Sequence, residues 1–119
     1  MEATNKSILE EGNAAIAAGN NEGFLSLCSE DTEWTFVGEQ TLRGKEAVRQ
    51  WMAAKYMEPP TNRVAHLIAE GEWLTVLGSL ITKDQNGQVA QYAYCDVWRF
   101  REGKLVELKA FVINSETKY

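Results

Sequence analysis

Three turn signals in the second half of the chain limit its fold more than any other feature. Glu70-Gly71-Glu72, Gln85-Asn86-Gly87-Gln88 and Arg101-Glu102-Gly103-Lys104 can each close a hairpin. They predict four strands at about 62–70, 73–83, 89–101 and 104–113, pairing in succession as an antiparallel meander. Strands of ten or more residues exceed the usual length of about 5–6. Such a sheet has to twist or bend strongly, and a bent sheet wraps around the segments that precede it.

Those preceding segments read as helical. Ser7 and Glu10 have capping-box spacing, and Ile8, Leu9, Gly12, Ala15, Ile16 and Gly19 lie on one side of a helix over about 5–18 that Gly19 can end. Asn20 and Asn21 can cap a second, shorter helix with Phe24, Leu25, Leu27 and Cys28 as its apolar positions, closed by Glu30 and Asp31. Thr32 to Val37 is β-branched and aromatic, which predicts a strand with Trp34 and Phe36 on its inner face. A short extended piece at Thr41 to Arg43 follows. Gly44 then opens a third helix carrying Val48, Trp51, Met52 and Lys55, which Pro59 and Pro60 terminate. Helices first and strands second predict an α+β fold rather than a βαβ alternation. At 119 residues the whole chain, 1–119, is expected to be one domain with no linker.

Both faces of the predicted sheet are apolar. Period two puts Tyr92, Tyr94, Asp96, Trp98 and Phe100 on one face of the third meander strand, and Ala93, Cys95 and Val97 on the other. In the strand before it, Trp73, Thr75, Leu77, Ser79 and Ile81 alternate with Leu74, Val76, Gly78, Leu80 and Thr82, and neither set is a clear solvent face. Three short helices cover only one side, and a soluble monomer rarely exposes an apolar patch larger than about 300–600 Å². The expectation is a homodimer through an outer face carrying Leu74, Val76, Leu80, Cys95, Val97, Phe111 and Ile113.

Composition excludes several function classes. Net charge is −5 and the basic residues are scattered, so the electrostatic drive for nucleic-acid binding is missing. No apolar run is long enough to span a bilayer, and MEATNKSILEEG lacks the features of a signal peptide, which makes a cytoplasmic location the default expectation and a membrane partner unexpected. Cys28 and Cys95 have no CxxC spacing and His66 is the sole histidine, so no Cys/His metal site can be assembled. Both cysteines read as reduced core or interface residues. There is no Ser/His/Asp arrangement and no glycine-rich phosphate loop.

The order helix, short helix, strand, helix, four-stranded meander resembles the nuclear transport factor 2-like superfamily, specifically its SnoaL-like polyketide cyclases and ketosteroid isomerases. The segments that carry the resemblance are AAIAAGNNEGFLSLCSEDTEW, LRGKEAVRQW and YCDVWRFREGKLVELKAF. It implies a cone-shaped curved antiparallel sheet wrapped around three N-terminal helices and enclosing a pocket. It further implies no cofactor and a hydrophobic small molecule as partner, for a cofactor-independent isomerase, cyclase or lyase or for a non-catalytic binding module. By the same resemblance the pocket is lined by Ile16, Trp34, Phe36 and Trp51, with Leu77, Ser79, Tyr92, Tyr94, Trp98, Leu108 and Ala110 from the meander. Asp96 matches the isomerase aspartate that, kept protonated, donates a hydrogen bond to a developing enolate. The chain departs from the isomerase at two positions: Phe36 stands where the general-base aspartate would be, and Gly12 where a tyrosine would complete the oxyanion hole.

Two readings of Asp96 remain open. It is either a pocket acid whose pKa desolvation raises among Tyr92, Tyr94 and Trp98, or a carboxylate held by a tyrosine hydroxyl or an arginine. His66, with Val64 and Ile68 at period two, would join Asp96 as an acid/base pair if its face is the concave one. Ser79 could orient a ligand or simply make room, and Lys83 and Arg63 read as solvated rim charges.

Overall fold

The computed structural model describes residues 4–83 and 86–115. Its elements run α1 (Asn5–Ala17), α2 (Asn21–Leu25), β1 (Cys28–Phe36), β2 (Gln40–Arg43), α3 (Lys45–Lys55), β3 (Thr61–Glu70), β4 (Trp73–Lys83), β5 (Val89–Arg101) and β6 (Lys104–Asn114). The α+β architecture and the four meander strands follow the sequence expectation. Of the middle turn, Gln85 lies outside the described residues.

All six strands form one curved, unclosed sheet in the order β2-β1-β6-β5-β4-β3. The sheet is mixed rather than wholly antiparallel. β1 pairs β6 in parallel, placing Trp34 beside Leu108 and Phe36 beside Ala110, while every other neighbouring pair is antiparallel. Rows of side chains therefore cross the concave face. One runs Leu74, Trp98, Leu108, Trp34 and Leu42; the next runs Val76, Asp96, Ala110, Phe36 and Gln40.

Local chemistry explains the helix ends, with two corrections. The cap of α1 is Thr4, whose hydroxyl accepts from the Ser7 amide at 3.1 Å, so Ser7 lies inside the first turn and does not cap it. Gly19, at φ +77°, lets the chain turn away. The Asn20 side chain caps α2 by accepting from the Gly23 amide at 3.0 Å. That helix stops at Leu25, and the strand begins at Cys28 instead of Thr32. Cys28 pairs with Leu105, and a bulge before Glu33 absorbs the extra residues, which turns Thr32 into the core.

The helices lie on the concave face. Ile8, Leu9, Phe24, Leu25, Val48 and Met52 pack with Trp34, Leu74, Val76, Trp98, Phe100, Leu105 and Leu108 into one buried cluster. No described helix is long and apolar enough to cross a membrane.

Candidate active site

Beyond the packed cluster the helices and the sheet diverge, leaving a cavity of about 690 Å³. That is within the range of about 300–1,000 Å³ typical of small-molecule sites. Aromatic rings build its wall. Trp34 stands edge-on to Trp98 (5.4 Å, 84°) and to Trp51 (6.2 Å, 68°), and Phe36 stacks on Trp51 at 4.8 Å. Tyr56, immediately after α3, stands edge-on to Trp51 at 5.2 Å.

Ile16, Trp34, Phe36, Trp51, Tyr92, Tyr94, Asp96, Trp98, Leu108 and Ala110 all line this cavity. Leu77 and Ser79 do not. Their strand is turned over relative to the expectation: Val76 lies opposite Asp96, Gly78 opposite Tyr94 and Leu80 opposite Tyr92, while Leu77 and Ser79 oppose Cys95 and Ala93 on the outer face. A two-residue turn at Asn86-Gly87 would have set Gln85 against Gln88, and hence Leu77 against Asp96. Lys83 instead pairs with Val89, and this one-residue difference in register exchanges the two faces of β4. The outer face consequently carries Thr75, Leu77, Ser79 and Ile81, with Cys95, Val97, Phe111 and Ile113; Leu74, Val76 and Leu80 belong inside.

His66 is likewise outside. A bulge between Val64 and His66 lets Val64 face the cavity opposite Gly78 while His66 pairs with Leu77 and Ile68 with Thr75. No acid/base pair forms between His66 and Asp96.

Asp96 has no hydrogen-bond or ion-pair partner among the described residues, and burial pushes its pKa up to about 7. Neither the arginine nor the tyrosine hydroxyl that would hold it ionised is in place. Tyr94 donates its hydroxyl to Asn62 Oδ1 across β4. Burial, and then the negative charge of Asp96, push the Tyr94 phenol up to about 12; the same two causes, joined by Tyr94, raise Tyr56 further. Tyr56, Tyr94 and Asp96 thus form one polar group inside an apolar wall. Cys28 is buried in the core and its thiol is pushed up to about 12, which makes it inert.

Sequence reasoning missed Tyr56 and Asn62. Tyr56 continues the series Val48, Met52, Tyr56 at a spacing of four, a signal that was present but ran past the helix end. Asn62 carries no sequence signal, because its role depends on how Tyr94 crosses the sheet.

The positions that depart from the isomerase are structurally occupied. A Cβ on Gly12 would meet the Phe24 ring at 2.8 Å, so α1 accepts no larger residue there unless that ring moves. Phe36 is committed to its stack with Trp51. Among the described residues no group of three or more His, Cys, Asp or Glu side chains is placed to hold a metal ion.

The family described as SnoaL-like domain matches residues 9–108. The chain belongs to the SnoaL-like family. No curated protein sequence matches this SnoaL-like chain. Solved structures share its fold. A nuclear transport factor 2-like protein of unknown function from Burkholderia pseudomallei K96243 is 22% identical with a TM-score of 0.83, the match covering 97% of this chain and 95% of that one. SalBIII, an epoxide hydrolase/cyclase-like enzyme described in pyran ring formation in the polyether salinomycin, is 21% identical with a TM-score of 0.84, covering 92% and 90%. TerC, co-crystallised with polyporic acid, is 18% identical with a TM-score of 0.78, covering 92% and 91%. At these identities the SnoaL-like protein shares their architecture, and its chemistry has to be argued from its own cavity.

Proposed function

We propose that this chain, acting as one SnoaL-like domain, binds a flat hydrophobic small molecule bearing a carbonyl and moves a proton on it through Asp96, without a cofactor. The observation that carries this reading is the unpartnered Asp96 carboxyl, pushed up to about 7 by burial, in an aromatic-walled cavity of about 690 Å³. A carboxyl poised near neutral pH exists in both forms, so it can take a proton from carbon and return it elsewhere. The ionised form removes a proton next to the substrate carbonyl; the resulting enolate oxygen accepts a hydrogen bond from Tyr56, whose hydroxyl has no protein partner among the described residues; and protonated Asp96 then returns its proton to carbon. Proton transfer of this kind serves an isomerase, cyclase or lyase, and the enzyme-like neighbour SalBIII is consistent with it.

A second reading, a binding module without chemistry, draws on the packing at Phe36 and Gly12, which fills the places of two isomerase catalytic groups. One experiment separates the two. Aromatic ketones are incubated with the protein in deuterated water and their α-proton exchange is followed by NMR. Exchange above background that Asp96→Asn abolishes supports proton transfer; tryptophan quenching by the same ketones with no exchange supports the binding module.

The same reading includes a homodimer through the outer sheet face. Phe111 (44% exposed), Ile113 (69%), Leu77 and Ile81 form an apolar surface there that a second copy would cover.

A further inference from the structure

The charged groups that line the cavity are unevenly placed. Among the described residues its interior holds a single carboxyl, Asp96, whereas Lys55 and Lys83 line it from the end of α3 and the end of β4, both solvent-exposed and therefore at its margin. Among the described residues one exposed carboxylate, Glu39 on the β1–β2 turn, also lines it, so the exposed charges of the lining are two ammonium groups and one carboxylate. Neither lysine has an ion-pair partner among the described residues. Among the cations that do not line the cavity, Arg43, Lys45, Arg49, Arg99 and Arg101 are each paired with a carboxylate, whereas Lys6, Arg63, Lys104 and Lys109 have no ion pair among the described residues, so what sets Lys55 and Lys83 apart is their place in the cavity lining. The chain as a whole carries a net charge of −5. Lys55 complements the carbonyl end of α3, but that role does not extend to Lys83, which lies on another element.

We infer that the ligand of this cavity is an amphipathic acid, with an apolar body against the tryptophans and a carboxylate or comparable anionic group held at the mouth by Lys55 and Lys83. The inference rests on the cavity being a small-molecule site, and it adds the polarity and orientation of the ligand. The neutral end goes inside, because an anion there would face Asp96 and lose its hydration. The charged end stays in the wet rim, where two flexible ammonium groups can reach it as point charges.

The test compares 1-pyrenebutyric acid with 1-pyrenebutanol, which share the ring system and differ in charge, by quenching of tryptophan emission at low salt. Two rim ion pairs predict a preference for the acid of about three- to tenfold, narrowing as salt is added. In the Lys55→Gln, Lys83→Gln double variant the preference should fall to within about twofold of unity, while Lys6→Gln, which removes an exposed charge elsewhere, should retain it. Equal binding of acid and alcohol by the unmodified protein, or a preference that survives in the double variant, overturns the inference and leaves the cavity reading standing. Binding of neither compound overturns both.

Discussion

Tyr94 crosses the sheet over Gly78: a Cβ built on that glycine would stand 2.7 Å from the Tyr94 hydroxyl and closer still to the Arg63 carbonyl oxygen. Glycine in a central strand is unfavourable by itself. Here it opens the passage through which the Tyr94 hydroxyl reaches Asn62 on β3. Gly78→Ala is therefore expected to lower stability by about 1–3 kcal/mol through overpacking against backbone that cannot move away alone. Urea unfolding checks this, and an unchanged midpoint would contradict the packing described.

Asp96 sets a pH dependence of definite sign. Its folded pKa, about 7, lies above the ordinary value of 3.8, so between those limits the native state binds more protons than the unfolded chain. The penalty for this group is fully present above pH 7 and shrinks as pH falls towards 3.8. A tenfold difference in proton affinity corresponds to about 1.4 kcal/mol, so Asp96→Asn should raise stability by a few kcal/mol at pH 8 and by much less at pH 5. Melting curves of both proteins at the two pH values report the difference. A variant destabilised mainly at pH 8 would mean that buried donors hold the carboxylate ionised.

Gly12 offers a test of the α1–α2 contact. Alanine in a helix interior gains about 1 kcal/mol over glycine in propensity. The 2.8 Å and 2.9 Å approaches of the Phe24 ring oppose that gain, and Gly12→Ala is expected to be destabilising by about 1–2 kcal/mol net. Combining it with Phe24→Leu should recover part of the loss, a coupling that a double-mutant cycle measures.

Assembly separates the two faces of β4. Leu77→Asp or Phe111→Asp, on the outer face, should convert a dimer to monomer in sedimentation, because an unpaired charge is costly in an apolar interface. Leu80→Asp, which faces the cavity, should leave the association state intact and weaken ligand quenching. A stable monomer before any substitution would remove the dimer.

Most of the fold was legible because its signals are local. Glycine turns delimited the meander, and asparagine and glycine marked helix ends. The site was legible where a strand had one asymmetric face: the Tyr92, Tyr94, Asp96, Trp98 series on β5 could be oriented because the alternative face lacks aromatics. On β4 both faces are apolar, so only the hairpin register could orient it, and that register turned on one residue. The face of His66 stayed open for a related reason, since a bulge breaks the alternation between Val64 and His66 without any glycine or proline to announce it. The parallel pairing of β1 with β6 joins segments some seventy residues apart, which no short-range pattern encodes.

That pairing also orders events in time. β1 has only β2 and the helices beside it until β6 exists, and the Trp34 row that floors the cavity is completed by Leu108 of β6 and Trp98 of β5. During synthesis the β6-facing edge of β1 therefore stays without its partner strand until β6 has emerged. Contacts of such long sequence separation slow folding relative to a chain built from local contacts. The interval before closure is when this chain is most vulnerable to aggregation.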